Sequence, residues 1–283
     1  MSSSISGRTR IAGVIGWPIE HSLSPTLHNT GFASLGLDWI YCAFPTPTDL
    51  IGAAITGARA LGIGGLSVTM PHKTAAAELV DSLSDSARLL DSVNTIEFVN
   101  DGTLRGHSTD GDGLMDSLAD AGVDVVGRTA LVLGFGGAGR AVWDALARSG
   151  CNRVLVTNRS EISSARLERI GLRREDVVDW ALRDDVAASA DIVVNATSLG
   201  MGSSMESPVS STRWTSSHVA VDLVYHPSRT VFLDQARLGG ATVVGGLGML
   251  VHQAARQQEI WTGRRPDADA MKRAATEVLR ALA

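Results

Sequence analysis

The sequence predicts an α/β protein made of an N-terminal α/β unit followed by a Rossmann-type dinucleotide-binding unit. Three observations predict it. Short apolar runs alternate with segments of helical periodicity from Ile11 onward, a glycine-rich stretch lies between a strand and a helix at Gly134 to Gly139, and 283 residues suffice for two units of ordinary size.

Ile11 to Gly16 is an apolar run ending in Gly-Trp-Pro, a strand entering a loop. Ser24-Pro25 marks a helix start, with Ser24 as N-cap and Pro25 in the first helical position, followed by Leu27, Gly31, Phe32 and Leu35 at helical spacing. Leu66 to Thr69 is the next strand. Pro71 opens a helix whose inner face is Ala75, Ala76, Leu79, Val80 and Leu83. This alternation predicts a parallel sheet covered on both faces. Thr95 to Val99 and Thr103 to Gly106 flank the hairpin turn Asn100-Asp101-Gly102, and Asp110-Gly111 leads into a helix through Leu114, Met115 and Leu118. The pattern changes beyond Gly127, so the boundary falls near residues 107–125. Thr129 to Leu133, Val154 to Thr157, Ile192 to Asn195, Val219 to Leu223 and Thr242 to Val244 are strands, with a helix over Ala141 to Ala147. Two helices, Met249 to Thr262 and Asp267 to Leu282, close the chain, separated by Gly263 and Pro266.

Gly134, Gly136 and Gly139 stand where a dinucleotide loop requires them: for the tight turn, for backbone approach to a pyrophosphate, and for close helix packing. Gly137 and Ala138 lie at the helix N-terminus, whose N–H groups favour phosphate. The next strand ends in Asn158-Arg159-Ser160 rather than in the carboxylate that usually holds a ribose 2′-hydroxyl. That favours NADP, with Arg159 pairing the 2′-phosphate, although Glu161 is close by and Arg159 is also readable as a solvated strand-end residue.

Lys73 is one of two lysines in a chain with 23 arginines. A basic group wanted only for charge would normally be arginine here, and arginine cannot give up its proton, so Lys73 is a candidate for proton transfer. Near a helix start the dipole disfavours a cation while a neighbouring carboxylate favours it, opposed influences that suit acid–base work. Asp110 is the carboxylate considered, and it also reads as the N-cap of the helix that follows.

Composition excludes several classes. Hydrophobic residues are 44% and charged residues 19%, as in a globular protein, and a net charge of -5 offers no footprint for nucleic acid. No apolar run reaches membrane-spanning length, and the Ser-rich start from Met1 to Arg10 has no signal-peptide core, so a cytoplasmic location is expected. Cys42 and Cys151 form no metal or disulfide pattern, and no metal is expected.

In this order the chain carries S-L-S-P-T-L-H-N at 22–29, V-T-M-P-H-K at 68–73, V-N-T-I at 93–96, T-D-G at 109–111 and G-F-G-G-A-G-R-A at 134–141. N-A-T-S-L-G-M at 195–201, Y-H-P-S-R-T at 225–230 and G-L-G-M-L-V-H-Q-A at 246–254 follow. With these motifs it resembles the shikimate dehydrogenase family, which includes quinate/shikimate dehydrogenases. The resemblance implies reversible, nicotinamide-dependent reduction of the 3-carbonyl of 3-dehydroshikimate. It implies a substrate-binding domain over 1–110, a Rossmann domain over 111–247, a C-terminal segment 248–283 packing back on the first, and a cleft between the two. Lys73 and Asp110 look like the family's catalytic pair. Ser22 and Ser24 look like the hydroxyls that hold the substrate carboxylate, and Ser22, two residues ahead of the helix start, has no capping duty in this reading. Thr69, Asn94 and Gln253 look like binders of the ring hydroxyls, and Tyr225 like a further substrate contact. Gly134, Gly136, Gly137, Ala138, Gly139, Asn158, Arg159, Ser160, Thr197, Gly246 and Met249 look like the cofactor site. The chain departs from the family pattern at Ser67 and Ser108, each in place of an Asn, at Phe135 in place of a small residue, and at Ser163 in place of a second Arg. The alternatives are a quinate/shikimate or aminoshikimate-type dehydrogenase using NAD or NADP and, from another class, a catalytically silent dinucleotide-binding regulator. A monomer or homodimer is expected.

Overall fold

The computed structural model describes residues 5–210 and 212–282; the first four residues of the Ser-rich start, Ser211 and Ala283 lie outside the described residues. The chain divides into two compact units, Met1–Thr109 with Val251–Ala283, and Asp110–Leu250.

The first unit opens with β1 (Arg10–Gly16), α1 (Ser24–Ser34), β2 (Trp39–Pro45), α2 (Ile51–Ala60), β3 (Gly65–Val68) and α3 (Lys73–Leu79). It continues with β4 (Ser82–Leu83), α4 (Asp85–Leu90), β5 (Thr95–Phe98) and β6 (Leu104–His107). The strands form one sheet in the order β2-β1-β3-β5-β6-β4. It is mixed rather than parallel throughout, a correction to the sequence expectation. β1 runs parallel to β2 and β3, but β5 is antiparallel to both β3 and β6. The Asn100-Asp101-Gly102 turn, with Gly102 at φ +84, accounts for the β5–β6 hairpin that the sequence predicts, whereas the antiparallel pairing of β5 with β3 is a separate, non-local contact. Alternation along β1 places Ala12 and Val14 in a cluster with Phe32 of α1 and Tyr41 of β2. Ile15 belongs to another cluster with Leu66, Val68, Ile96, and Ile51 and Ile55 of α2.

Two helix starts also differ from the sequence expectation. α1 begins at Ser24 itself, and Leu23 occupies the N-cap position without a side-chain cap. The hydroxyl that meets the incoming backbone is that of Ser22, which accepts from the Ser24 N–H at 3.2 Å. α3 begins at Lys73 and not at Pro71, because the His72 N–H is turned back onto the Thr69 carbonyl at 2.9 Å. It ends at Leu79, so that Val80 is extended and Leu83 lies in β4. Its buried side chains are Ala76 and Ala77.

The second unit consists of α5 (Asp110–Asp120), β7 (Thr129–Leu133), α6 (Gly137–Arg148), β8 (Arg153–Thr157), α7 (Ser164–Ile170) and β9 (Val177–Val178). α8 (Arg183–Ala187), β10 (Ile192–Asn195), β11 (Val219–Asp222), α9 (Val231–Leu238) and β12 (Thr242–Val244) complete it. Its sheet, β12-β11-β10-β7-β8-β9, is parallel at every pairing. β7 lies at the centre, and the strand order reverses between β7 and β10. That is the switch point at which doubly wound sheets bind ligands, and the glycine-rich loop leaves β7 there. Strands buried on both faces need continuous apolar runs, and Leu131, Val132, Leu133, Ile192, Val193 and Val194 are all fully buried.

The long helix α10 (Gly246–Thr262) starts in the second unit and carries its later turns in the first, where α11 (Ala268–Leu282) packs on α1. Asp267 caps α11, accepting from the Ala270 N–H at 2.9 Å. α10 brings two glutamines into the core of the first unit. Gln257 Oε1 accepts from His28 Nε2 at 3.1 Å and from the Ser67 hydroxyl at 2.7 Å, while Tyr41 donates to Ser67 at 2.6 Å. Gln258 Nε2 donates to His28 Nδ1 at 3.1 Å, which fixes the neutral tautomer with its proton on Nε2. Ser67, where the family pattern has an Asn, is thus the hinge of a buried polar chain.

His28 has no exposed surface and stacks on Tyr41 with centroids 4.1 Å apart. Burial pulls its pKa down from 6.5 to about 3. A second proton would have to enter at Nδ1, against a donor. Between about pH 3 and 6.5 the unfolded histidine therefore binds a proton that the folded one refuses, and stability falls as pH drops through that window. Lowering the pH from 7 to 5 should remove about 2 kcal/mol through this group. Denaturant titrations at both pH values check this: His28→Gln should lose correspondingly less than the wild type, and equal losses would show that His28 does not couple folding to pH.

Candidate functional site

In the first unit Thr69, Lys73 and Asn94 lie at one end of the interior strands, where β1 and β3 end and β5 begins, and Gln253 of α10 reaches the same place through Thr109. Thr69 follows β3 directly, its N–H bonded to the Ile15 carbonyl at 3.0 Å. Lys73 is the first residue of α3, half-buried, and its carbonyl accepts from the Val93 N–H at 2.8 Å, which ties the helix start to the residue before Asn94. His72, which the sequence reading did not single out, is 1% exposed, and its Nε2 donates to the Thr46 carbonyl at 2.7 Å. It anchors the backbone immediately before Lys73. The signal for it was present, since His72 lies inside the same motif.

Asn94 is buried and oriented by its neighbours. Its Oδ1 accepts from the Thr109 N–H at 2.9 Å and the Thr95 hydroxyl at 2.8 Å, and its Nδ2 donates to Thr109 Oγ1 at 3.0 Å. Thr109 Oγ1 lies 3.2 Å from the carbonyl of Gln253, and Gln257 Nε2 donates to the Asn94 carbonyl at 3.1 Å. Two turns of α10 therefore hold Asn94 in place. Gln253, on a face that sequence alone would leave solvated, is 8% exposed. Ser22 and Ser24 are half-buried in the segment that opens α1.

Of the two candidate catalytic residues, Lys73 belongs to the first unit and Asp110 to the second. Asp110 is the first residue of α5 and 7% exposed, directly following Thr109 in the chain. A carboxylate in the first turn is favoured by the helix dipole. Tyr225 also lies in the second unit, after β11, and burial pushes its phenol up.

The glycine-rich loop of the second unit is constrained as its sequence requires. Gly134 adopts φ +94, and a Cβ at Gly139 would run into the Gly134 carbonyl, so the first and third glycines fold the loop onto the helix. Gly136 is different, with open space where a Cβ would stand. It is also the N-cap of α6, whose first turn, Gly137 to Gly139, no side chain caps. Beside the loop is a cavity of about 230 Å³ lined by Gly134 to Gly136, Asn158 to Ser160, Trp180 and Ala196 to Leu199.

Not every predicted cofactor residue has a free side chain. Asn158 accepts from the Phe135 N–H at 3.0 Å and donates to the Ser160 carbonyl at 2.9 Å, so it braces the loop. Thr197 donates to Asn195 Oδ1 at 2.6 Å and accepts from the Leu199 N–H at 3.1 Å. Asn195 in turn donates to the buried Asp222, whose carboxyl burial pushes up against three hydrogen bonds. Gly246 is required by packing, because a Cβ there would meet the Leu223 carbonyl; Met249 is 8% exposed on α10. Arg159 is exposed and makes no hydrogen bond or ion pair among the described residues. Phe135, which replaces a small residue, is buried edge-on against Trp143.

This chemistry fits a dinucleotide with a 2′-phosphate. The uncapped helix start and the open space over Gly136 suit a pyrophosphate, and a free guanidinium stands at the end of β8, where the strand-end position itself carries no carboxylate.

Comparison with known proteins decides the family. A profile described as "Shikimate dehydrogenase substrate binding domain" matches residues 14–96, and one described as "Shikimate 5'-dehydrogenase C-terminal domain" matches residues 246–276. The shikimate dehydrogenase (NADP(+)) of Thermococcus kodakarensis is 43% identical over 95% of this chain and 97% of its own. The chain belongs to the shikimate dehydrogenase family. Solved members share its fold. One crystallised in complex with NADP+ superposes with a TM-score of 0.90 at 33% identity over 98% of both chains. The shikimate 5-dehydrogenase of Thermus thermophilus, in complex with NADP(H) and shikimate, does so with a TM-score of 0.86 at 38% identity, covering 95% of this chain and 99% of its own. Among the described residues of this family member, no helix is long and apolar enough to cross a membrane.

Proposed function

We propose that the protein is an NADP-dependent shikimate dehydrogenase, reversibly reducing the 3-carbonyl of 3-dehydroshikimate to the hydroxyl of shikimate. One observation carries the reading: on the scaffold of this enzyme family the chain keeps a half-buried lysine, Lys73, at a helix start, its carbonyl bonded to the residue before the oriented Asn94. The first unit is the substrate-binding part, and the second, with Gly134 to Gly139 and Arg159, holds NADP. When bound, NADPH supplies the hydride that reduces a carbonyl.

Carbonyl reduction also needs a proton at the oxygen. Lys73 Nζ gives that proton and takes it back in the oxidative direction, and Asp110 is the second residue of the proposed catalytic pair. Asn94, Thr69 and Gln253 orient the ring hydroxyls, Tyr225 adds a further contact, and Ser22 and Ser24 hold the carboxylate. Purified protein given NADPH and 3-dehydroshikimate should consume both and form shikimate in equal amounts. No consumption, with NADPH demonstrably bound, would leave a dinucleotide-binding protein without this activity.

A remote carboxylate is held about equally in the ground and transition states, so losing a contact to it raises KM more than it lowers kcat. Ser24→Ala is the cleaner probe, since the Ser22 hydroxyl also caps the Ser24 N–H and its loss should cost about 1 kcal/mol of stability. Ser24→Ala should raise the KM for shikimate about tenfold with kcat nearly unchanged. An unaltered KM would place the carboxylate elsewhere.

A further inference from the structure

One wall of the cavity in the second unit comes from outside the glycine loop and the strand-end motif. Trp180 opens a 3-10 turn, Trp180–Leu182, that follows β9. Thr157 of β8 pairs with Val178 of β9, so the chain leaving β9 runs level with Asn158 to Ser160, and Trp180 lines the same cavity as Arg159. β9 is the outer neighbour of β8, on the side of β7 away from β10. In a doubly wound dinucleotide unit, the end of the second strand is where the adenosine ribose is read. Trp180 therefore stands on the adenosine side of the loop.

The turn holds this indole before any ligand arrives. Asp179 accepts from the Ala181 N–H at 2.9 Å and fixes the turn. Arg183 Nη1 donates to the Trp180 carbonyl at 2.8 Å, its Nε donates to the Pro208 carbonyl at 2.7 Å, and its guanidinium lies 4.8 Å from the centroid of the indole. The ring is only half-buried, whereas Phe135, the other aromatic side chain lining the cavity, is 4% exposed. Trp180 thus offers preordered aromatic surface next to the guanidinium expected to read the 2′-phosphate. Preordering lowers the entropy that binding must otherwise overcome, and on the adenosine side of the loop the purine is the part of the cofactor with a π face to match.

We propose that Trp180 is the platform for the cofactor's adenine and, with Arg159, sets the affinity for its adenosine half. The inference rests on the reading of the second unit as an NADP site. Its test uses 2′,5′-ADP, which has the adenine and the 2′-phosphate but no nicotinamide, and nicotinamide mononucleotide, which has the other half. Both are titrated calorimetrically into the full chain. Trp180→Ala should bind 2′,5′-ADP about tenfold more weakly than the wild type and bind nicotinamide mononucleotide equally well. Trp180→Phe keeps a ring for stacking and should hold 2′,5′-ADP within about threefold. 2′,5′-ADP should quench tryptophan fluorescence in the wild type and leave it unquenched in Trp180→Phe, a readout that stands even if the alanine variant does not fold. Unchanged affinity in Trp180→Ala, equal weakening for both half-cofactors, or undiminished quenching in Trp180→Phe would each overturn the platform while leaving the NADP reading intact. A wild type that bound neither NADP+ nor 2′,5′-ADP would overturn both.

Discussion

Lys73→Ala should lower kcat by roughly 10²–10⁴-fold while changing the KM for shikimate far less, because a positioned acid–base group acts mainly on the proton in flight. Lys73→Arg should fare little better. It restores the charge but not a group that can give up its proton, which separates proton transfer from simple anion binding. Asp110→Asn should also be slow, and the double variant should be much less impaired than the product of the two single losses, the signature of residues that act as a unit. Steady-state kinetics of the four proteins provide the check. An alanine variant with near-wild-type kcat, or an arginine variant that restores it, would remove Lys73 from the chemistry.

Arg159→Ala should raise the KM for NADP about tenfold and leave that for NAD nearly unchanged. A charge-assisted hydrogen bond to a phosphate is worth about 1.5–3 kcal/mol, and the exposure of Arg159 puts its share at the lower end. For the same reason the wild-type preference for NADP should weaken as salt is raised, since screening acts on exposed charges. Equal effects of the substitution on both cofactors would show that Arg159 does not read the 2′-phosphate.

The dinucleotide unit was legible in the sequence because its determinants are local. A strand, a glycine loop and a helix follow one another within about twenty residues, and Gly134 and Gly139 each have a separate steric reason to be there, while Gly136 leaves open space over the helix start. β1, β3, β5 and β6 were read from apolar runs or a turn signal, β2 (Trp39–Pro45) was not read although it is apolar, and the sheet's mixed character depended on which strands pair, a non-local fact. β4 and β9, two residues each, are too short to carry a period, and Trp180 went unnoticed because the turn that bears it hangs on β9. The His28–Gln257–Ser67–Tyr41 chain joins residues from opposite ends of the sequence, so none of its members announces a partner. Ser22 and Ser24 show the limit of capping rules. Two serines spaced by one residue both suit a helix start, and the side chain that meets the backbone proved to be the first of them. Lys73 was singled out as a candidate by a compositional contrast, the rarity of lysine among arginines, and its exact helix position came from the structure alone.

The most direct test of the account is the specificity constant, kcat/KM, measured with shikimate and with quinate, each paired with NADP+ and with NAD+. The account predicts the highest value for shikimate with NADP+, falling about tenfold or more on changing the cofactor, and falling further on changing the substrate. A higher value for quinate or for NAD+ would contradict the assignment of substrate or cofactor respectively.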